Sequence, residues 1–140
     1  MREDGNEAVL ALVPPRMQDY LSELEAADEG NLRRASSIAE FISASAEQSF
    51  AVTLIPATGF ASEEWWSIWG CLNTMELRPS ILVYALQSDF EMWSSVLNSG
   101  GYDVIVAPFT AIKLRDAIRD AVLHFKRQVE VRGPDAPDAC

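Results

Sequence analysis

The sequence has little of what metal-binding, disulfide-stabilised or membrane-spanning proteins need. It contains one histidine and two cysteines, Cys71 and Cys140, whose spacing fits neither a metal motif nor a disulfide framework. No apolar run approaches the ~20 residues that cross a bilayer, and the first residues lack the apolar segment of a signal peptide. We therefore expect two reduced thiols, no metal site, and a soluble cytoplasmic protein.

Positive charge is also scarce. Lysine and arginine together number 11, against 21 aspartates and glutamates, so the formal net charge is −10. A field of this sign repels nucleic acids and anionic membranes. We therefore expect neither as a partner, and a basic protein surface would suit this chain better.

The residue combinations of common catalytic sites are missing as well. The chain shows no Ser-His-Asp or Cys-His arrangement and no glycine-rich phosphate loop. A single histidine, His124, leaves little acid–base machinery, and we interpret it as a solvated residue near the end of the last helix. Glu63, Glu64 and Asp89 are interpreted as helix-start residues rather than cation ligands. The sequence therefore indicates neither an enzyme nor a cofactor.

What the sequence does contain is a regular alternation of short apolar runs with amphipathic stretches. The apolar runs predict strands at 6–13, 31–36, 50–55, 81–86 and 103–107. Helical spacing of apolar residues predicts helices that begin near Arg16, Ser37, Ser62, Ser88 and Thr110. This order implies a doubly wound α/β domain, with a five-stranded parallel sheet and helices on both faces. We place the domain at 7–128, between tails at 1–6 and 129–140.

The first two helices are predicted in most detail. In the first, the inward stripe comprises Met17, Tyr20, Leu21 and Leu24. In the second, the stripe comprises Ile38, Phe41 and Ile42, and Ser37 with Glu40 has the spacing of a capping box.

Residues 99–109, Ser-Gly-Gly-Tyr-Asp-Val-Ile-Val-Ala-Pro-Phe, resemble a signature of response-regulator receiver domains. In that family an Ala-Gly-Ala turn leads through the fifth strand to Lys-Pro-Phe, and here the spacing matches although the lysine is absent. Residues 50–56 resemble the family's third strand, and the resemblance extends from about Glu7 to about Arg127. It implies a receiver or flavodoxin-like sheet with strand order 2-1-3-4-5.

The resemblance also implies where the phosphorylation chemistry of a working receiver should lie. The family uses acids after strand one to hold Mg²⁺, an aspartate ending strand three as the phosphoryl acceptor, a hydroxyl ending strand four, and the lysine before Pro-Phe. In this chain the acidic positions fall at Pro14 and Pro15, the acceptor at Pro56, the hydroxyl at Ala85, the lysine at Ala107 and the switching aromatic residue of strand five at Val104. None of these retains a functional side chain, so we expect a degenerate receiver that is not phosphorylated.

Protein recognition is what the family implies for the remainder of the chain. We predict a phosphorylation-independent signalling module that binds a protein partner or a second copy of itself. The alternative is a small-ligand sensor whose apolar crevice, lined by Pro14, Pro56, Ala85 and Ala107, accommodates a metabolite.

Two groups of side chains are candidate interfaces. Trp66 lies off the inward stripe of helix three, and an exposed tryptophan is typical of a binding surface. Helix five carries both signs of charge, which fits either a solvated, ion-paired face or a symmetric dimer interface. Its candidate residues are Lys113, Arg115, Asp116, Arg119 and Asp120.

Overall fold

Strands and helices alternate along the chain as predicted. A computed structural model describes residues 7–27, 30–57, 62–73, 78–87, 90–98 and 101–132. The strands within these ranges are β1 (Val9–Leu12), β2 (Leu32–Ala35), β3 (Val52–Pro56), β4 (Ser80–Ala85) and β5 (Asp103–Val106). The helices are α1 (Leu24–Ala27), α2 (Ile38–Glu47), α3 (Ser62–Asn73), α4 (Phe90–Asn98) and α5 (Ala111–Arg132).

The five strands form one parallel sheet in the order β2-β1-β3-β4-β5. This confirms the predicted fold class and strand order. Val9 of β1 lies opposite Leu32 of β2 on one side and Val52 of β3 on the other. Every residue of β1 and β3 is buried, whereas the edge strand β2 carries Arg33 and Arg34, which pair with Glu47 and Glu25. The polar strand therefore occupies an edge of the sheet.

Alternating side chains of the strands build a core on each face of the sheet. Val9, Leu54 and Leu82 face one side and pack with the buried residues of α1 and α5. Their neighbours Leu10 and Ile55 face the other side and pack with α2, α3 and α4. The result is a three-layer domain whose parallel strands all end at the same edge.

The first helix is much shorter than predicted. The chain forms a 3-10 turn at Pro15–Met17, continues through further turns, and becomes α-helical only over Leu24–Ala27. Leu21 and Leu24 are buried as predicted, but Tyr20 is 53% exposed, so its placement on the inward stripe is wrong.

The two prolines after β1 account for this difference. Pro14 is extended, with φ −61° and ψ 157°, because the residue before a proline is disfavoured in the helical region. Pro15 has no N–H, and the first bond of the segment runs from Met17 N to Pro14 O over 2.8 Å, a 3-10 rather than an α pattern. Regular helix begins only at Leu24, and Tyr20 lies in the irregular turns before it.

The predicted capping box of α2 is confirmed, with one change of partner. Ser37 Oγ accepts from Glu40 N at 3.1 Å, while the Glu40 carboxylate accepts from the N–H of Ser36 at 2.6 Å rather than from that of Ser37. The inward face of α2 centres on Phe41 and Ala44, so Ile42 is 37% exposed and its predicted inward position is wrong.

The contacts of Glu40 predict a pH dependence of stability. The Ser36 N–H above all, then the Ser36 hydroxyl and Arg33, lower the pKa of Glu40. Because the pKa of the folded state lies below that of the unfolded state, the carboxylate stabilises the fold above the unfolded pKa, and this contribution is lost as pH falls through the folded pKa. We expect Glu40→Gln to remove this part of acid destabilisation, measured by urea denaturation at several pH values. Glu91→Gln, at an exposed first-turn position of α4, is the control. A stability difference between wild type and Glu40→Gln that stays constant with pH would contradict the assignment.

Gly101 lies where the chain returns from α4 to β5, and its small size is required there. A Cβ at this position would lie 2.6 Å from Val96 Cγ1 and 2.9 Å from the Val96 carbonyl oxygen, to which the Gly101 N–H already donates. We expect Gly101→Ala to destabilise the fold by about 1–3 kcal/mol through overpacking. Gly70→Ala in α3, where no atom lies within 4 Å of the added Cβ, should instead stabilise by about 0.5–1 kcal/mol. Chemical denaturation measures both, and effects of the same sign would contradict the prediction.

α5 is the longest described helix, with 22 residues. The Lys113 N–H donates to Thr110 Oγ1 at 3.2 Å, so Thr110 caps the helix, and the predicted start near this residue is confirmed. The helix continues to Arg132, through residues 129–132 that the sequence places in the tail. None of the described helices combines the length and apolar character needed to cross a membrane.

Candidate functional site

The ends of β1, β3, β4 and β5 meet at one edge of the sheet and bring the predicted receiver positions together. Pro56 is the last residue of β3 and lies opposite Tyr84 of β4, while Ala85 ends β4 opposite Val106 of β5. Pro14 follows β1 by two residues. We use the name carboxyl-end crevice for the site formed by Pro14, Pro15, Pro56, Ala85, Val104 and Ala107.

Main-chain donors at this edge are already engaged within the fold. The Ala57 N–H, just after β3, donates to the Tyr84 carbonyl at 2.9 Å. The Ala107 N–H donates to the Ala85 carbonyl at 3.0 Å, and the Met17 N–H donates to the Pro14 carbonyl at 2.8 Å. These three N–H groups are therefore not free to bind the oxygens of an anion.

The side chains of the carboxyl-end crevice have no chemistry for metal binding or phosphoryl transfer. Pro14 and Pro56 are buried, and Ala85 is 5% exposed. None of the six residues carries a carboxylate to hold Mg²⁺, a carboxylate to accept phosphate, or an ammonium group to stabilise its oxygens. Among the residues that the structure describes, no three His, Cys, Asp or Glu side chains are grouped to hold a metal ion.

Tyr84 is the most important residue of this region that the sequence reasoning missed. It precedes Ala85, its side chain is fully buried, and its hydroxyl donates to the Leu12 carbonyl at 2.7 Å. Its ring meets Phe109 edge to face, with centroids 5.6 Å apart and planes at 85°. Burial raises the pKa of Tyr84 despite the opposing charge of Arg16, so the phenol stays protonated and remains a donor.

The Tyr84 bond ties β4 to β1 across the intervening strand β3. It also engages the carbonyl at the end of β1, beside the place where a receiver holds its metal ion. The floor of the crevice on the α5 side is therefore a packed aromatic pair with a neutral hydrogen bond. One signal in the sequence could have pointed to it: a buried tyrosine needs a partner for its hydroxyl.

The candidate interface residues fall on two separate surfaces. Trp66 is 58% exposed on α3, on the face of the sheet covered by α2, α3 and α4. Helix α5 lies on the opposite face. Of the other tryptophans, Trp69 is buried, whereas the side chains of Trp65 and Trp93 are outside the part of the chain that the structure describes.

Lys113, Arg115 and Asp120, three of the charged candidates on α5, bond to residues outside this helix. Lys113 donates to the Val106 carbonyl, and Arg115 donates to the Ala26 carbonyl at 2.7 Å. Asp120 accepts from the Tyr102 hydroxyl at 2.6 Å, and this bond is the main reason why the pKa of Tyr102 rises to about 12. These bonds attach α5 to its neighbours. Asp116 and Arg119 are among the exposed residues of the helix.

The interpretation of His124 as a solvated residue is wrong. Its ring stacks on Tyr102, with centroids 4.4 Å apart and planes at 28°, and it is only partly exposed. It is therefore a packing residue of α5 rather than a fully solvated side chain.

Comparisons with known proteins agree with the topology. No protein-family model and no curated protein sequence matches the chain. A CheY-like receiver domain protein from Methanospirillum hungatei is 14% identical with a TM-score of 0.70, over 89% of this chain and 100% of that one. A receiver domain protein from Clostridium thermocellum is 16% identical with a TM-score of 0.67, over 87% and 99%. NtrX from Brucella abortus is 15% identical with a TM-score of 0.71, over 89% of this chain and 29% of that one. The chain therefore has the fold of a response-regulator receiver domain.

Proposed function

We propose that this chain is a receiver-like module of two-component signalling that acts by binding proteins and does not depend on phosphorylation. The observation that carries the proposal is the carboxyl-end crevice, where prolines, alanines and a neutral phenol stand in place of acids, a hydroxyl and a lysine. The proposed role is non-enzymatic, because the crevice offers no group that could exchange a proton or form a covalent intermediate at neutral pH.

The missing side chains would be needed both for phosphoryl transfer and for the conformational switch that reports it. Phosphoryl transfer to a carboxylate needs a divalent cation and a nearby cation to balance the developing charge. A receiver reports the phosphoryl group through a hydroxyl and a mobile aromatic side chain, and here these positions are Ala85 and Val104. A single acquired carboxylate could therefore restore neither the reaction nor the switch.

The remaining surfaces support recognition of a protein. Trp66 exposes more than half of its large side chain on α3, and such residues often dominate the free energy of binding at interfaces. Exposed Asp116 and Arg119 lie on α5, where a second copy of the chain could pair both signs of charge across a two-fold axis. The NtrX match, which spans 29% of that chain, suggests that such a module can also work beside other domains.

The small-ligand sensor at the carboxyl-end crevice is the weaker alternative. The buried state of Pro14, Pro56 and Ala85 leaves little room among these side chains. A ligand there would also have to displace the Tyr84–Phe109 pair or the bonds of Ala57 and Ala107. These observations weigh against a metabolite at this site and favour recognition of a protein through the surfaces on α3 or α5.

The proposal is tested by combining phosphoryl labelling with sedimentation velocity. Purified protein is incubated with Mg²⁺ and radiolabelled acetyl phosphate, beside a receiver that retains its acceptor aspartate. We expect no label on this chain, and the same sedimentation coefficient with and without the phosphodonor. Stoichiometric Mg²⁺-dependent labelling, or a change of oligomeric state that needs the donor, would contradict the proposal.

Variants separate the two candidate surfaces if the protein self-associates. Asp116→Arg changes α5, and Trp66→Ala changes α3, which lies on the opposite face of the sheet. If α5 forms the dimer, Asp116→Arg should shift sedimentation toward the monomer and Trp66→Ala should not. The reverse result would assign self-association to α3 and leave α5 out of it.

A further inference from the structure

The helices on one face of the sheet are acidic. No lysine or arginine occurs in α2, α3 or α4, and their acids are Glu40, Glu47, Glu63, Glu64 and Glu91. Between residues 35 and 112 the sequence has eight acids and one basic residue, Arg78. The segments that connect these helices therefore add no other positive charge. Arg33 of β2 balances Glu47, and the helices together still favour a positively charged partner.

One side of α3 faces away from the core and holds Glu63, Trp66 and Gly70. Residues at this i, i+3, i+7 spacing lie on the same side of a helix. Trp66 is 58% exposed, and Glu63 and Gly70 are exposed as well, whereas Ile68 and Leu72 are buried against the sheet. We call the three exposed residues the α3 stripe.

Nothing in the described part of the fold requires a glycine at position 70. Its backbone is not in the left-handed region, and no described atom lies within 4 Å of an added Cβ. A glycine inside a helix costs about 0.5–1 kcal/mol relative to alanine. The missing side chain leaves a notch beside Trp66, four residues earlier, where another backbone can approach α3 closely.

The chemistry of the α3 stripe suits an arginine. A guanidinium group can stack on an aromatic ring and also bond a carboxylate, because it is planar and has several N–H donors. Glu63 lies one turn before Trp66 on the same side of the helix and supplies that carboxylate. A second copy of the stripe supplies no cation, because α3 contains neither lysine nor arginine.

We propose that the α3 stripe binds a helical, arginine-bearing segment of a partner protein. An arginine of the segment would stack on Trp66 and bond Glu63, and the backbone of the segment would pass over Gly70. The inference rests on the proposed function, because it names the surface and the chemical class of the protein that the module binds. Since α3 and α5 pack on opposite faces of the sheet, this binding leaves α5 free for a second copy.

The test is an amide NMR titration of the full chain with a synthetic helical peptide of about 20 residues. The peptide consists of alanine with arginine at i, i+4 spacing. A second peptide carries citrulline, which keeps the shape of arginine without its charge, and a third carries glutamate. We expect saturable shifts with the arginine peptide alone, largest at Glu63, Trp66 and Gly70, and weaker binding at high salt.

Matched variants make the test specific to the α3 stripe. Trp66→Ala should weaken binding of the arginine peptide by about tenfold, and Glu63→Gln by about threefold. Tyr20→Ala and Asp19→Asn make comparable changes at exposed residues before α1 and should leave the affinity unchanged. Gly70→Gln fills the notch and should weaken binding by about tenfold, although glutamine stabilises a helix relative to glycine. Loss of binding in this variant is then not a result of unfolding, which urea denaturation verifies.

Three results would overturn the inference. They are absence of saturable binding of the arginine peptide, equal affinity for the citrulline or glutamate peptide, and equal affinity in wild type and Gly70→Gln. Sedimentation velocity of the protein alone tests a second copy as the occupant, and self-association that is lost in Trp66→Ala would also overturn it. Each result can occur with or without phosphoryl labelling, so failure here is distinguishable from failure of the proposed function.

Discussion

Replacing Tyr84 with alanine is expected to lower the free energy of unfolding by about 3–5 kcal/mol. The ring is fully buried, and its removal leaves a cavity beside Phe109 at the end of β4. It also removes the hydroxyl that binds the Leu12 carbonyl. Urea denaturation monitored by circular dichroism measures the change.

Tyr84→Phe separates the contribution of the Tyr84–Leu12 hydrogen bond from that of the packed ring. The ring stays, and only the donor to the Leu12 carbonyl is lost, so we expect a smaller decrease of about 1–3 kcal/mol. Tyr20→Phe, at a position 53% exposed, is the matched control and should be nearly neutral. If Tyr84→Phe were as stable as the wild type, the hydrogen bond across β3 would not contribute to closing the crevice.

Introducing an acceptor carboxylate with Pro56→Asp is expected to destabilise the protein rather than restore its chemistry. Pro56 is buried, and none of the other five residues of the carboxyl-end crevice has a charged side chain that could balance a carboxylate there. An uncompensated buried charge costs about 3 kcal/mol or more. Pro56→Asn serves as the control, because asparagine has nearly the same shape as aspartate but no charge.

The pH dependence of Pro56→Asp identifies the cause of this loss. Burial raises the pKa of the new carboxyl above its unfolded value. The charge penalty is therefore full above the folded pKa and decreases as pH falls through it, so the variant should approach the stability of Pro56→Asn in mild acid. Urea denaturation of both variants at several pH values measures this, and a stability difference independent of pH would show that the crevice can solvate a carboxylate.

Much of the fold follows from local patterns in the sequence. Apolar runs such as 50–55 identify central strands because a parallel sheet buries both of their faces. Arg33 and Arg34 identify an edge strand, because charged side chains can reach solvent there. The first helix could not be predicted correctly from apolar spacing alone, because Pro14 and Pro15 constrain the backbone before the helix begins.

The candidate site was also predictable only in part. The resemblance to receivers assigns numbers to the six crevice positions, and the sheet places two of them, Pro56 and Ala85, at strand ends. The Tyr84–Leu12 bond joins residues 72 apart in sequence, and no local pattern contains that contact. The bonds of Lys113 and Arg115 to main-chain carbonyls escaped prediction for the same reason, since charge patterns show possible partners along a helix but not across the fold.

The most direct test of the account is amide NMR of the wild-type protein during titration with Mg²⁺, followed by acetyl phosphate. If the crevice neither binds Mg²⁺ nor accepts a phosphoryl group, we expect the spectra to superimpose throughout the titration. This includes the amide resonances of Val13, Ala57, Ala85 and Ala107. Saturable Mg²⁺-dependent shifts at these residues, extended by the phosphodonor, would contradict the account.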